Sequence, residues 1–372
     1  MEFHWLQLIL VAFGLFALVQ LTYILGYFSR LAWYKPRQTA HAAVPVSVII
    51  VAKNEKVNLT HHLPLFFNQS HPEFEVVVVN NASWDGTADL LKELLPLYPN
   101  LRVVTIEEQE RYPKGKKFAL TLGIKAAKYE TLLFTDADCV PASPDWITGM
   151  QQAYTSKTEV VLGYGAYRKK GGLLNYFIRF ETFYTALQYL SFALAGKPYM
   201  GVGRNLSYKK STFFAVKGFA SHNHIISGDD DLFVNEVAKP GNTEICIEPS
   251  VFTISEPKNT LGEWIKQKRR HLHTGKRYKG SNKFMLASLN LSHILFYGTG
   301  ITLLAFFYLP AVVGIVFGVR LLAQHLVYFN AMKKLKENNL FYGILLLDIL
   351  YPLYYLLIGL NTLFTRQKKG VW

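Results

Sequence analysis

Cysteine and negative charge are both scarce in this chain. Its 372 residues include two cysteines, Cys139 and Cys246, which are too few for a disulfide framework and fit a reducing compartment. The 40 lysine and arginine residues outnumber the 26 acidic residues, and the formal net charge is +14. Because this charge is concentrated in a few segments, it indicates local contacts with anionic groups rather than a uniformly basic surface.

Two common phosphate-binding fingerprints are also missing. The chain contains no G-x-G-x-x-G motif and no G-x-x-x-x-G-K-[ST] motif. Their absence weighs against a dinucleotide-dependent dehydrogenase and against a P-loop enzyme. A nucleotide site in this chain would therefore use other residues.

Charged residues are absent from two long stretches. No Asp, Glu, Lys or Arg occurs in residues 3–29 or 284–319, and residues 340–365 contain only Asp348. Since about 20 apolar residues cross a bilayer as a helix, the first and third stretches each fit one span. The second stretch with its continuation is too long for one span, and it predicts a helical hairpin that turns near Tyr308-Leu309-Pro310.

The charges beside these stretches predict an orientation. Glu2 and His4 stand where a signal peptide would be positive, so we expect an uncleaved anchor. The basic residues at 30–37 place the end of this anchor, and the middle of the chain, in the cytoplasm. If two spans precede them, the basic residues at 333–336 also lie in the cytoplasm, as expected. A fourth span would place the basic residues at 366–369 outside, which disagrees with the expectation. Three and four crossings both stay open.

The chain is expected to divide into four parts. Residues 1–30 form an N-terminal transmembrane anchor, and residues 284–372 form a C-terminal transmembrane region with two or three spans. Between them lie a cytoplasmic domain at 44–262 and a basic interfacial segment at 263–283. Eight lysine and arginine residues lie between Lys266 and Lys283. Attraction to anionic lipid contributes about 1 kcal/mol per basic residue, which favours membrane anchoring over nucleic acid and leaves one or two residues to bind a diphosphate.

Short apolar runs alternate with helical patterns in the cytoplasmic domain. The predicted strands are Val46–Ala52, Glu75–Asn80, Leu101–Ile106 and Thr131–Phe134, and the predicted helices are Lys56–Gln69, Thr87–Leu95 and Lys116–Lys128. Strands that are apolar on both faces and alternate with helices indicate an α/β fold with a parallel sheet. Ligands of such sheets bind beyond the carboxyl ends of the strands.

Polar residues follow each of these strands. They are Lys53-Asn54-Glu55, residues 80–87, residues 112–117 and Asp136-Ala137-Asp138. Two carboxylates at i and i+2 after a buried strand can reach one point, and their oxygens suit Mg²⁺ or Mn²⁺ holding a diphosphate. Turn formation and helix capping are the alternative use of such aspartates. Lys114-Gly115-Lys116-Lys117 at a helix start adds a second feature that is typical of diphosphate sites.

An acidic run lies further along the chain, at Gly228-Asp229-Asp230-Asp231-Leu232. Three adjacent carboxylates repel one another, and such runs are usually solvated loops. Beside a metal–diphosphate site, one of them becomes a candidate general base, because a like-charged neighbour raises a carboxyl pKa toward working pH.

The order of these motifs from Val46 to about His271 resembles the family 2 glycosyltransferases. With spans on either side, the chain is similar to their membrane-bound inverting branch, which includes ceramide glucosyltransferases and the hyaluronan and cellulose synthases. The resemblance implies a GT-A type, Rossmann-like domain for a nucleotide-diphospho-sugar, with Mg²⁺ or Mn²⁺ as the cofactor. A UDP-sugar is the expected donor.

The resemblance also implies roles for individual residues. In the family pattern, Asn54 and Glu55 line the nucleoside, Asn81 contacts the base, and Gly115-Lys116 lie near the nucleotide and sugar. In the same pattern, Asp136 and Asp138 hold the metal, and Gly203 and Asn205 form the wall of the sugar and acceptor pocket. Asp229 and Asp230 would be catalytic, with Asp230 as the general base, and Gln267 and Arg270 would belong to an interfacial helix.

Two departures from the family pattern bear on substrates. Asn81 stands where an aspartate usually accepts from the uracil N3–H, and an amide oxygen can still accept that bond. His271 replaces a tryptophan that stacks on the acceptor sugar in polymer synthases. This replacement favours a lipid-linked acceptor, and extension of a polysaccharide is the alternative.

Two other classes of function remain open from the sequence. Arg320 and Asp348 lie inside apolar spans, as ionisable groups of a transporter do, although they could pair with each other or Arg320 could snorkel. A catalytically inactive sugar-binding protein is the other class. The aromatic stretch Leu173–Leu194 fits either a helix at the membrane interface or a core helix on the sheet.

Overall fold

The computed structural model describes residues 4–36, 43–107 and 115–364, and ten strands of this part form two sheets. The strands are β1 Val46–Ala52, β2 Phe74–Asn81, β3 Leu101–Ile106, β4 Thr131–Asp136, β5 Cys139–Pro141, β6 Val160–Gly163, β7 Gly165–Tyr167, β8 Leu206–Lys209, β9 Thr243–Cys246 and β10 Thr253–Ser255. The large sheet has the order β3-β2-β1-β4-β8-β6-β9, and the small sheet has the order β5-β10-β7.

Strands β1 to β4 pair in parallel, as the sequence predicted. Strand β8 runs antiparallel to both β4 and β6, so the large sheet is mixed. All seven residues of β1 are buried, which agrees with a central strand that is covered on both faces.

Twelve helices surround the sheets in the described part of the chain. They are α1 His4–Ala32, α2 Lys56–Phe67, α3 Thr87–Leu94, α4 Lys116–Ala126, α5 Trp146–Gln152, α6 Leu173–Leu194, α7 Lys210–Ala215, α8 Asp231–Val237, α9 Leu261–Gly275, α10 Gly280–Ala305, α11 Pro310–Lys334 and α12 Ile344–Phe364. Helices α2, α3 and α4 begin at the predicted residues.

The two faces of the large sheet pack into different hydrophobic layers. Val48 and Ile50 of β1 belong to the layer that contains the apolar residues of α2, α3 and α5. Ile49 and Val51 belong to the layer that contains α4 and α6. This alternation follows from the two-residue period of a strand, and it leaves the carboxyl ends of the strands free for a site.

Helix α6 packs on the sheet as a core helix, which is one of the two predicted alternatives. Most of its side chains are buried, and Phe180, Phe183 and Leu187 belong to the same layer as Ile49 of β1. The other side of the helix meets the apolar helices, because the rings of Tyr184 and Tyr351 lie 4.5 Å apart. Helix α6 therefore lies between the sheet and the apolar helices.

Four helices of the described chain are long and apolar enough to cross a membrane, by length and composition. They are His4–Ala32, Gly280–Ala305, Pro310–Lys334 and Asn338–Gly359. Helices α10 and α11 form the predicted hairpin, with its turn at residues 306–309. Leucines such as Leu15 and Leu357 expose more than half of their surface, as expected of helices surrounded by lipid.

One buried polar cluster connects these four candidate spans. Arg320 of α11 pairs with Asp348 of α12, and Gln324 donates to the same carboxylate at 2.6 Å. His293 Nε2 of α10 lies 3.1 Å from Asp348 Oδ1, and Gln20 Oε1 of α1 accepts from Arg320 at 3.3 Å. Arg320 and Asp348 therefore pair with each other inside the bundle, rather than extending separately toward water.

Candidate active site

Asp136 and Asp138 lie together beyond the carboxyl end of β4. Asp136 is the last residue of the strand, and Asp138 follows in the short link to β5. Their carboxylates and the thiol of Cys139 offer ligand atoms that lie within 4.8 Å of one another. His62 of α2 holds the link, because its Nδ1 lies 2.9 Å from the carbonyl oxygen of Ala137. The two carboxylates thus reach one point, as their spacing predicted.

Lys116 connects these carboxylates to the distant acidic run. It begins α4, and its Nζ lies 2.6 Å from Asp136 Oδ1 and 3.2 Å from Asp229 Oδ2. Acidic groups from widely separated parts of the chain therefore converge at one place, as the sequence predicted. Lys114, which belongs to the same predicted diphosphate-binding segment as Lys116, lies outside the described residues.

The two strand-end carboxyls have different pKa values for a physical reason. Burial would raise the pKa of Asp136, but the positive charge of Lys116, with smaller contributions from Arg204 and Arg270, holds it below its usual value. Burial and then the negative charge of Asp136 raise the pKa of Asp138. The pair therefore favours an additional positive charge beside Asp138.

The acidic run begins with a turn that requires glycine. Gly228 has φ +91°, and a Cβ there would lie 2.5 Å from Leu232 Cδ1. Asp230 Oδ2 then accepts from the Gly203 amide at 2.8 Å, and its Oδ1 accepts from the Asp231 amide at 2.7 Å. Burial, followed by the charges of Asp229 and Asp231, raises the pKa of Asp230 to about 7. A carboxyl with this pKa can accept a proton near neutral pH.

Asp231 anchors the acidic run to the end of α9. Its Oδ2 accepts hydrogen bonds from the hydroxyl of Thr274 and from the Tyr278 hydroxyl at 2.8 Å, and its Oδ1 accepts from the Leu232 amide at 2.7 Å. The run is therefore a partly buried, hydrogen-bonded element, and the solvated-loop alternative is wrong.

Lys117 supports the segment that leads into the acidic run. Its Nζ donates to the carbonyl oxygens of His222 at 2.8 Å and Ile225 at 3.1 Å, and lies 2.7 Å from His222 Nδ1. Burial lowers the pKa of Lys117 to about 8, although Asp229 partly offsets this effect. Neighbouring lysines of α4 thus hold both the acidic run and the loop before it.

One cavity of about 1370 Å³ joins these elements. The sequence-predicted residues that line it are Asn54, Glu55, Lys116, Asp136, Asp138, Gly203, Asp229, Asp230, Gln267 and Arg270. Asn81 lies outside this lining, buried at the carboxyl end of β2, and its contact with a base stays a prediction. Asn54 connects the first strand end to the second, because its Oδ1 accepts from the Trp84 amide at 3.0 Å.

Asn205 is a correction, because its side chain does not form a wall of the cavity. It is fully buried, and its amide nitrogen donates to the carbonyl oxygens of Tyr164 at 3.0 Å and Val251 at 2.8 Å. Its Oδ1 accepts from Trp146 Nε1 at 3.1 Å. Both polar atoms of the side chain are used inside the protein, so Asn205 stabilises the turn that carries Gly203.

Arg204 is a site residue that the sequence analysis missed. Its guanidinium lies 4.3 Å from the ring centroid of Tyr167 and donates to Ser255 Oγ at 3.3 Å. It lines the cavity, and it contributes positive charge to the surroundings of Asp136 and Asp138. Arg204 lies between Gly203 and Asn205, and nothing in the sequence distinguished it from its neighbours.

Helix α9 forms the basic wall of the cavity. Gln267 donates to the Tyr167 hydroxyl at 3.3 Å, and the carbonyl oxygen of Arg270 accepts from Ser227 at 3.3 Å. Lys268 forms a 2.5 Å ion pair with Glu181, a buried residue in the middle of α6. Neither member of this pair was predicted from the sequence.

The side chains around Asp136 and Asp138 fit a hard divalent cation. Two carboxylates offer the oxygen ligands that Mg²⁺ and Mn²⁺ prefer. Burial raises the pKa of the Cys139 thiol well above its usual value, and its Sγ lies 2.9 Å from Ser255 Oγ. A protonated thiol is a poor ligand, so the two aspartates are the residues that would hold the ion.

The sheet and its strand-end site define an α/β domain of the GT-A, nucleotide-diphospho-sugar transferase type. Residues 47–217 match the family model described as Glycosyl transferase family 2, so this part of the chain is similar to that family. The mannosyltransferase PcManGT from Pyrobaculum calidifontis, solved in complex with GDP-Man and Mn²⁺, has a similar fold. The two share 19% identity and a TM-score of 0.59, over 92% of this chain and 99% of that one.

Two curated relatives match a shorter part of the chain. Glycosyltransferase AglE from Haloferax volcanii is 36% identical over 98 residues, which are 26% of this chain and 31% of that protein. Poly-beta-1,6-N-acetyl-D-glucosamine synthase from Staphylococcus epidermidis is 30% identical over 95 residues, which are 26% of this chain and 22% of that protein. The chain thus spans less than a third of the length of these relatives.

Proposed function

We propose that this chain is a membrane-bound, metal-dependent, inverting glycosyltransferase that moves a sugar from a nucleotide-diphospho-sugar to a lipid-linked acceptor. One observation carries the proposal. The lining of a single cavity includes Asp136, Asp138 and Asp230 together with residues of the candidate spans α10 and α12. A donor at the carboxylates would therefore share its cavity with an acceptor that arrives from the lipid.

The donor diphosphate would meet positive charge that is already in position. Lys116, Arg204 and Arg270 all line the cavity. Preorganised charge of this kind stabilises the charge that develops on a leaving group without further reorganisation. A divalent ion bound at Asp136 and Asp138 would supply Lewis-acid stabilisation of the departing nucleotide diphosphate.

Asp230 is the proposed general base. Its carboxylate takes the proton of the acceptor hydroxyl while that oxygen forms a bond to the anomeric carbon of the sugar. The bond from this carbon to the diphosphate oxygen breaks on the opposite face, and the nucleotide diphosphate leaves with the electron pair. One such displacement inverts the anomeric centre. General-base catalysis contributes roughly 10²–10⁴-fold to such a step.

The catalytic domain is proposed to lie in the cytoplasm. Basic residues at 30–37 follow α1, and the basic segment 263–283 precedes α10, which agrees with the excess of positive charge found on cytoplasmic loops. In this arrangement residues 1–30 and 284–372 belong to the membrane region, and residues 44–262 form the cytoplasmic domain. The basic tail at 366–369 lies outside the described residues.

A lipid-extraction assay tests this function. Membranes that contain the chain are incubated with radiolabelled uridine and guanosine diphospho-sugars and Mn²⁺, because Asn81 leaves the choice of base open. We expect one donor to label the organic-solvent extract, with the label lost on chelation and restored by added metal. Failure of every donor to label lipid or any other acceptor, with folded protein, would contradict the proposal.

Extension of a polysaccharide is the second candidate. The likeness to the Staphylococcus epidermidis poly-N-acetylglucosamine synthase favours it. The same assay separates the two functions by product size, because a processive synthase gives long water-soluble chains and a single transfer gives one labelled lipid.

A further inference from the structure

The cavity continues from the carboxylates into a seam between α10 and α12. From α10 it is lined by Lys283, Leu286, Ala287 and Asn290, and from α12 by Tyr351 and Tyr355. The four residues of α10 stand at positions i, i+3, i+4 and i+7 and therefore form one stripe along the helix. The seam is thus a groove between two candidate spans, and it opens where Lys283 and Ala287 are exposed.

The residues of α10 and α12 that line the seam offer mostly apolar groups, and Lys283 adds a positive charge. The amide of Asn290 is engaged locally, donating to the Leu286 carbonyl oxygen at 2.8 Å, and the Tyr355 hydroxyl donates to Glu181 at 2.8 Å. The groups left for a ligand are the leucine, the alanine and the tyrosine rings. Lys283 lies at the end of the stripe nearest to the basic helix α9.

Three basic residues that line the cavity have no carboxylate partner among the described residues. None of the carboxylates in the described residues forms an ion pair with Arg269, Lys276 or Lys283. The Nε of Arg269 is buried and has no hydrogen-bond partner among the described residues. A buried, unpaired guanidinium nitrogen is costly unless a ligand satisfies it.

The turn that carries Lys276 lies beside the acidic run that contains the proposed general base. Asp231, the neighbour of Asp230, accepts hydrogen bonds from Thr274 and Tyr278, which flank Lys276 in the turn between α9 and α10. The lining of the cavity therefore combines carboxylates, cations without a carboxylate partner, and the seam. A matching ligand carries a hydroxyl, then a negative charge, then a hydrocarbon chain.

We infer that the acceptor is an anionic long-chain lipid whose hydrocarbon chain lies in the seam between α10 and α12. Its phosphate-type group meets Lys283 and Arg269, and a hydroxyl of its head group reaches Asp230. This inference rests on the proposed function and adds the chemical class of the acceptor and its binding site. The occupant is a lipid because the cavity opens between helices that are candidates to be surrounded by lipid.

Photolabelling of the full chain in nanodiscs tests the site. The probes are hexadecyl phosphate and hexadecanol, each carrying a diazirine on the hydrocarbon chain. We expect hexadecyl phosphate to label peptides 283–290 and 351–355, and unlabelled hexadecyl phosphate to compete with it there. Labelling of the exposed side of α11 at residues 315–322 should not be competed. If unlabelled hexadecyl phosphate competes equally at the seam and at residues 315–322, the seam is not a specific site, and this result needs no variant.

Substitutions then separate the two parts of the inference. Ala287→Trp fills the seam and should abolish labelling of 351–355, whereas Ala305→Trp, exposed at the far end of α10, should leave it unchanged. Lys283→Gln should reduce hexadecyl phosphate labelling about fivefold and leave hexadecanol labelling unchanged. If Ala287→Trp leaves the labelling unchanged, the hydrocarbon chain does not lie in the seam. If both probes label the wild-type protein equally, the site does not select an anionic head group.

Nucleotide-sugar hydrolysis by the wild-type protein distinguishes this inference from the function on which it rests. If metal-dependent hydrolysis is present and labelling is unspecific, the acceptor site is wrong and the transferase function stands. If no donor is hydrolysed or transferred, the proposed function itself fails.

Discussion

The ammonium of Lys116 lies 3.2 Å from a carboxylate oxygen of Asp229, although more than a hundred residues separate them in the chain. The same ammonium lies 2.6 Å from Asp136. One partly buried cation therefore joins a proposed metal ligand to the acidic run that contains the proposed general base. This arrangement explains how so many acidic groups can share one cavity.

Replacing Lys116 by methionine should destabilise the metal-free protein. The substitution leaves Asp136 and Asp229 without the charge that offsets their repulsion, and loss of such a partner costs about 1–3 kcal/mol. Thermal unfolding with and without Mn²⁺ measures the effect, and Mn²⁺ should restore more stability to the variant than to wild type. Lys125→Met, an exposed lysine of the same helix, is the matched control. A Lys116→Met melting temperature equal to that of the control would refute this role.

Transfer should depend on pH through Asp230. Its pKa of about 7 means that the carboxyl is protonated, and inactive as a base, in acid. We expect kcat/KM for the acceptor to rise with pH up to about 7 and to level off above it. A profile that is flat across this range, or that falls as pH rises through 7, would rule out Asp230 as the titrating base.

Metal binding should depend on Asp138 and not on Cys139. Asp138→Asn removes an anionic oxygen ligand and should weaken Mn²⁺ binding about tenfold or more, because carboxylates provide most of the affinity for hard cations. Cys139→Ser should bind Mn²⁺ as wild type does, since the buried thiol is protonated. Calorimetric titration with Mn²⁺ measures both. Weaker binding by Cys139→Ser than by Asp138→Asn would reverse the assignment of ligands.

The polar cluster of the candidate spans should behave as one unit. Asp348→Leu leaves the buried charge of Arg320 without its partner and should cost about 3–5 kcal/mol of stability. The double variant Arg320→Met with Asp348→Leu removes both charges and should lose less. Unfolding in detergent is measured for wild type, for the single variants Asp348→Leu and Arg320→Met, and for the double variant. Additive losses would mean that the two residues do not interact.

Local sequence patterns were sufficient for much of the fold. Runs of valine and isoleucine identify β1 and β2 because strands buried on both faces admit few other residues. Strand β8 could not be foreseen, since Leu206–Lys209 is four residues long and has no period of its own. Its antiparallel direction depends on packing between β4 and β6.

The site was predictable where its chemistry is carried by neighbouring residues. The i, i+2 spacing of Asp136 and Asp138 after a buried strand is visible in the sequence, whereas the role of Asn205 depends on the distant carbonyl groups of Tyr164 and Val251. The aromatic helix α6 was ambiguous because phenylalanine and tyrosine suit a core as well as a membrane interface.

The central claim is that Asp230 performs the proton transfer at a site where other residues bind the donor. The most direct test measures donor binding by calorimetry and sugar transfer with the same preparation of Asp230→Asn, using Glu236→Gln of α8 as the control. We predict that Asp230→Asn binds the nucleotide-sugar with the wild-type Kd and transfers at least about 10²-fold more slowly. A variant that transfers sugar at the wild-type rate would contradict the account.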